Sequence, residues 1–447
     1  MSGAPDGDEQ AQPAERGARF RDVFAVAEFR ALWTAQLLSV VGDQLARVAL
    51  TVVVYGRTRS PLLAAVTFTA SLIPNFLGGV LLSGIADRLP RRQVMIGTDL
   101  VSALLVVVMA VPGMPLALLI VLLAAVTMVG ALFQAARAAT NADILTGDRY
   151  VLGTAVTITT IQFAQVLGFA VGGVTVAFLG LRTSLLADAA TFAASALITR
   201  IWVYARPAAT LGATAQGPGE AAAPAARRSG PARRSGPARR IRDSLAGTAA
   251  GLRLVFGHPA LRTPMLFGWL CAFYNVPEGV ATPLAAAVGG GAVAVGLILA
   301  SAAFGSTVGA LSFSRFVAPD QRIRWTVPLA VAACGVLALF AAGPGLAGVL
   351  VILAISGLCS CYQLAANASF VRATPPEQRS QAFGIAQGGI SLGQGLVIVL
   401  AGAAAERFRP DAVICAGGIA GALCALALAS GGLMARARAA RPFSPGS

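Results

Sequence analysis

Three charged residues of this chain stand where charge is expensive. Asp43 and Arg47 fall inside the apolar run 31–55, and Glu278 falls inside another, 262–287. A charged side chain at the centre of a bilayer costs at least about 2.5–3.5 kcal/mol, so an intramembrane acid is a functional candidate by default. Asp43 and Arg47 are four residues apart, which puts them on one helix face, one turn from each other. Two chemistries fit this spacing: a static ion pair that neutralises both groups, or an Asp43 carrier whose proton occupancy changes as Arg47 approaches and withdraws. Glu278 sits in Tyr274-Asn275-Val276-Pro277-Glu278-Gly279, with Pro283 following. Pro277 removes a backbone donor and should break the helix. Glu278 is therefore a second candidate, for a proton or a cationic group. Asp188 lies in another apolar run, nearer one face of the membrane. The single histidine, His258, precedes the seventh apolar run, so any proton chemistry inside the membrane must use carboxylates.

The elements that hold these groups are read from hydropathy. Of 447 residues, 56% are hydrophobic and 12% charged, against about 25% charged in soluble domains. A spanning helix needs roughly 20 apolar residues. Twelve segments qualify, near 31–55, 62–86, 94–112, 116–139, 152–179, 183–204, 262–287, 292–314, 325–342, 345–370, 381–404 and 411–434. The expected fold is an all-α polytopic membrane protein of twelve transmembrane helices in two pseudo-symmetric six-helix halves. The divisions are a tail (1–28), a first half (29–204), a linker (205–260), a second half (261–435) and a second tail (436–447). The linker repeats RRSGPA from Arg227 and is too poor in apolar residues to bury a core; an amphipathic helix is expected over 241–259. The halves echo each other in Phe133-Gln134-Ala135-Ala136 and Tyr362-Gln363-Leu364-Ala365. The first 25 residues lack the apolar core of a secretory leader.

The net charge is +15, and all 34 basic residues are Arg. With both termini cytoplasmic, 28 of them fall on the inner side and five on the outer, with Arg47 inside a helix. That split satisfies the positive-inside rule. The charge sets orientation and does not point to nucleic acid. All six Cys lie in apolar segments as small hydrophobes, and no metal or cofactor motif is present. No phosphate-binding loop or hydrolase motif appears, so an enzyme reading has no residues to stand on.

A mildly polar cavity between the helices is expected from Gln36, Asn75, Gln162, Phe163 and Gln165 in the first half. Tyr274, Asn275, Gln363 and Asn367 would supply it from the second. Each of these is also suited to an interhelical hydrogen bond. Their sparse polarity suits a bulky amphipathic compound better than a sugar.

Two further stretches stand out. Gly84-Ile85-Ala86-Asp87-Arg88-Leu89-Pro90-Arg91-Arg92 is a polar hairpin between two apolar runs. Gly168, Gly172 and Gly173 make a glycine-lined helix face that permits close packing. With twelve spans and a long central loop, the chain resembles the major facilitator superfamily. The hairpin follows that family's G-x-x-x-D-R-x-G-R-R/K pattern at Gly84, Asp87, Arg88, Arg91 and Arg92, with Pro90 at the second glycine. Gly168-Phe169-Ala170-Val171-Gly172-Gly173 is similar to its antiporter motif G-P-x-x-G-G, with Phe169 at the proline. Phe29-Arg30-Ala31-Leu32-Trp33 and Gly42-Asp43-Gln44 resemble the drug:proton antiporter branch of macrolide-efflux and siderophore-export proteins.

The resemblance implies a transporter of a small molecule that rocks between two states. It implies a latch in which Asp87 caps a neighbouring helix and Arg88 and Arg91 pair with acids across the two halves, with Arg92 beside them and Asp99 joining the cluster. Together these expectations describe an exporter of a drug, antibiotic or secondary metabolite, driven by proton antiport, in the bacterial cytoplasmic membrane. Substrate, protons and membrane lipid are its expected partners, and the chain is expected to be monomeric. An importer, uniporter or lipid flippase is the alternative, followed by a non-transporting membrane scaffold.

Overall fold

The computed structural model describes residues 20–75, 77–79, 89–206, 251–319, 321–375 and 378–439, and among these every regular element is helical. Among the described residues, ten helices are long and apolar enough to cross a membrane. Spans one to four are Ala27–Thr58, Pro61–Gly79, Arg91–Met109 and Leu116–Ile144. The next helix, Asp148–Trp202, has 55 residues, far more than one crossing needs. It breaks at Gly180, whose φ of 76° and ψ of 179° only glycine adopts without strain. Its two arms are spans five and six. Span seven, over residues 259–287, is cut into Pro259–Trp269, Cys271–Tyr274, Val276–Gly279 and Ala281–Ala287. No piece is long enough to qualify by itself, and Pro277 opens the third, as its missing N–H dictates. Spans eight to twelve are Ala292–Phe316, Arg322–Ala342, Leu346–Ala373, Ala382–Ala405 and Pro410–Ser430. The described residues thus supply the twelve crossings of a polytopic membrane protein.

Some readings fall outside the described residues: Gly84, Asp87, Arg88, the RRSGPA repeat and the outer parts of both tails. Of the expected amphipathic helix only 251–259 is described; 251–257 is helical, and Val255 is buried in a cluster with Phe370 and Ala382. His258 is exposed beyond it, as expected of a surface residue.

Because lipid tails are as apolar as the helices they surround, close packing of small residues has to hold spans together. In the first half, Gly168 and Gly172 of span five lie against Val41, Gln44 and Leu45 of span one. In the second half, Gly305 and Gly309 of span eight lie against Ala354 and Leu358 of span ten. Large apolar side chains such as Leu104, Val121, Phe178 and Leu423 are left exposed on the outer surface, where lipid would cover them.

Two seams join the halves. Span two packs on span eleven: Gly402 lies against Ala65 and the Pro61–Leu62 backbone, and Gly395 lies against Thr69 and Ile73. Span five packs on span eight through Gly173 and Gly296. The largest apolar core crosses between halves, with Val48, Phe68 and Phe169 meeting Val280, Leu284 and Ile398. Both seams lie toward the end that carries the turns at 59–60, 180 and 406–409, opposite the start of span three at Arg91.

Candidate functional site

Span one brings the first charged pair into the bundle. Gly42 is the residue that lets it do so: a side chain there would collide with Asp188 and Thr191 of span six. The Asp188 and Thr191 side chains therefore lie directly on the span-one backbone beside Asp43. Asp188 is 1% exposed, and the Thr191 hydroxyl donates to its backbone carbonyl at 2.7 Å. From span three comes Asp99, 2% exposed, whose carboxylate accepts a hydrogen bond from Ser195 of span six at 2.6 Å.

These three aspartates line one cavity of about 120 Å³ together with Arg47, Asn75 and Gln134. The cavity has room for a few water molecules. Every lining residue lies between Ser39 and Phe192, so the cavity belongs wholly to the first half. Among the described residues no three His, Cys, Asp or Glu side chains converge as metal ligands. The aspartates share a space without meeting at one point.

Arg47 sits at the boundary of this cluster. Its guanidinium carbon lies 5.3 Å from the centre of the Phe68 ring on span two, a cation–π arrangement. It feels two carboxylates, Asp43 of its own helix and Glu278 of the other half. Among the described residues it closes to within 4.0 Å of neither, and its buried Nε has no hydrogen-bond partner. Glu278 is held instead by Gln394 of span eleven, whose Nε2 donates to it at 3.2 Å. Its position follows from the Pro277 break, where the Glu278 N–H donates to the Asn275 carbonyl at 3.0 Å.

The hairpin residues that are described work inside the first half. Arg91 pairs with Asp143 and donates to the Ala139 carbonyl at 3.0 Å, both on span four. Arg92 donates to the Arg200 carbonyl at the end of span six. Asp99, expected to join them, is placed in the aspartate cavity instead and bonded to Ser195. Its position two turns into span three carries it away from the hairpin.

The expected cavity residues scatter. Asn75 lines the aspartate cavity. Gln36 is 2% exposed, with its Oε1 lacking a partner among the described residues. Gln162 and Gln165 are half-buried on span five, and Phe163 between them is 51% exposed. Gln363 donates to the Tyr274 hydroxyl, and Tyr274 meets Tyr362 edge to face at 6.4 Å. Asn275 lies at the span-seven break, and Asn367 is exposed. The repeat of Gln134 and Gln363 is therefore one of position, not of contact: Gln134 accepts from Arg137 at 2.9 Å beside the aspartates.

The glycine face divides its work. Gly168 and Gly172 pack on span one, whereas Gly173 packs on Gly296 of the other half. Gln134 and Ser195 join the site beside Asp188. An acid in an apolar span was the available signal for Asp188; nothing local marks the others.

The Major Facilitator Superfamily model matches residues 32–360 and 279–446. No curated protein matches by sequence. Among solved structures, a POT family transporter in complex with 5-aminolevulinic acid is similar at TM-score 0.67 and 10% identity, over 90% of this chain and 95% of that one. A bacterial homolog of the human lysosomal transporter Spinster, in an inward-facing and occupied conformation, is similar at TM-score 0.61 and 14% identity, over 94% and 98%. The nucleoside transporter NupG is similar at TM-score 0.61 and 14% identity, over 90% and 99%. At these identities the likeness is one of fold.

Proposed function

The chain belongs to the Major Facilitator Superfamily and is a multi-pass membrane transporter, and from that premise we propose that it exports a small amphipathic compound in exchange for protons. The observation that carries the proposal is the aspartate cavity. Three buried carboxylates, Asp43, Asp99 and Asp188, face one space with Arg47 as the cation beside it. Buried carboxylates facing a common space inside a membrane are suited to taking up and releasing protons.

In this reading Arg47 transmits proton occupancy to the second half. A proton on Asp43 cancels the charge that holds Arg47 toward the cavity, and Glu278 then draws it toward span seven. Loss of the proton reverses the pull. The halves 29–204 and 261–435 rock about the two seams, and the latch proposed for Arg88, Arg91 and Arg92 includes the ties of Arg91 to Asp143 and of Arg92 to Arg200 within the first half. The substrate occupies the cleft between the halves, near Gln36, Tyr274 and Gln363. The protein works as a monomer in the bacterial cytoplasmic membrane with both termini inside, and the drug:proton antiporter branch is its place in the family.

The test is accumulation of a panel of fluorescent dyes and antibiotics in an efflux-deficient bacterial host. Wild type should lower accumulation, a protonophore should abolish the effect, and Asp43→Asn should behave like the empty vector. Export that ignores the protonophore, with Asp43→Asn and Glu278→Gln fully active, would sink the proton claim.

A further inference from the structure

We propose that Glu406 is a gating residue, whose carboxylate ties the end of span eleven to the start of span two and holds the halves shut at that end. The proposal rests on the reading of the chain as a transporter whose halves separate, and on nothing about coupling ion or direction.

The first N–H groups of any helix lack partners within it. At the start of span two the chain turns through Arg59, whose φ of 55° is left-handed, and Ser60 then accepts from the Leu63 N–H at 3.1 Å. Pro61 has no N–H to satisfy. The Leu62 N–H remains, and its acceptor comes from 344 residues away: Glu406 Oε1, at 3.1 Å. The same oxygen accepts from the Ser60 hydroxyl at 2.5 Å. One half of the molecule thus completes the helix cap of the other, with a carboxylate placed at the positive end of the helix dipole.

The seam beneath this bond is apolar. Gly402 and Gly395 let span eleven lie against Ala65, Thr69 and Ile73. At about 1.5 Å per residue, the stretch from Gly395 to Glu406 runs about 16 Å, roughly half of a ~30 Å hydrocarbon core. Small-residue packing can slide or part at little directional cost. Two hydrogen bonds on one carboxylate oxygen cannot, because they fix both distance and orientation. Glu406 is exposed and Ser60 half-buried, so water replaces both bonds once the seam opens. A bond that water can replace is reversible, as a gate requires.

Bonds to charged groups are strong when buried and weaker when exposed. Loss of this pair should therefore raise the population parted at this end by roughly three- to tenfold. The experiment uses the full chain in phospholipid nanodiscs, with the six natural cysteines replaced and spin labels on Arg182→Cys and Phe408→Cys. These exposed positions sit on the turns of the two halves at the Glu406 end. Pulsed-EPR distance distributions are compared for the parent, Glu406→Ala, Glu406→Gln and Ser60→Ala. The expected result is a longer-distance population that grows most in Glu406→Ala. Ser60→Ala should give less, and Glu406→Gln, which keeps an uncharged acceptor, an intermediate rise. Distributions that superimpose on the parent overturn the proposal. If Glu406→Ala fails to fold, Glu406→Gln and Ser60→Ala decide it by the same criterion. The readout needs neither substrate nor proton gradient, so failure here and failure of the export reading are separate results.

Discussion

Gly173 of span five and Gly296 of span eight meet back to back across the two halves: a Cβ on Gly173 would lie 2.9 Å from the Gly296 Cα, and one on Gly296 would lie 2.8 Å from the Gly173 Cα. Neither position has a flexible side chain that could yield, because each faces backbone. Any larger residue must push the halves apart.

Gly173→Val should therefore disfavour the closed seam. Overpacking of this kind costs about 1–3 kcal/mol, so the closed-to-open ratio should fall by roughly five- to 150-fold, and transport with it. Gly168→Val, which crowds span one within the same half, should lower thermal stability without that selective shift. Transport measured in vesicles beside a thermal melt for each variant separates the two effects.

Ser195 carries the one side-chain hydrogen bond to the Asp99 carboxylate among the described residues, at 2.6 Å in a buried site. Its removal leaves a buried carboxylate short of a donor, at a cost of about 1–3 kcal/mol. Ser195→Ala should melt several degrees below wild type. The loss should shrink in an Asp99→Asn background, because the donor and its acceptor form a coupled pair. Additive losses in a double-mutant cycle of detergent-solubilised protein would show that the bond carries no coupling.

Glu28, at the start of span one, holds the chain just after span six. Arg206 donates to both its carboxylate oxygens at 3.0 and 2.6 Å, and the Tyr204 N–H donates at 2.7 Å. The hydrogen bonds it donates to Glu28 hold the Arg206 guanidinium protonated more firmly than usual, the Coulombic pull adding to them. A raised value stabilises wherever the group is charged in both states and is lost only at strongly alkaline pH. The tie should therefore be flat across pH 6–9 in this respect and weaken with salt. Glu28→Ala should speed hydrogen exchange at Tyr204 by on the order of tenfold, the equivalent of one net hydrogen bond of about 1.4 kcal/mol. Exchange followed by mass spectrometry on a peptide covering 203–206 reads it directly.

Much of the scaffold was legible along the chain. Twelve apolar runs predicted twelve crossings because hydrocarbon thickness sets a minimum length for each. The break at Pro277 was legible because proline lacks an N–H. The Asp43–Arg47 relation was legible because four residues are about one helical turn. The union of Asp43 with Asp99 and Asp188 was not. It depends on how spans one, three and six are rotated against each other, and the small residue that sets this, Gly42, looks like any other glycine in a helix. The glycine face was half legible. Gly173 follows Gly172, so it points about 100° further round the helix and meets a different neighbour. Glu406 left no local trace, since its partners lie at the far end of the sequence.

The aspartate cavity is lined from the first half alone. On the proposed export reading, a solute held between the halves occupies other volume, so the two cargoes of such an exchanger would have separate seats. Their influence on each other then passes through Arg47 and the rocking of the halves. In rate measurements, protons would act on such a carrier as mixed rather than competitive inhibitors of solute binding, and a solute too large for one side of the cleft would slow proton movement without displacing a single proton.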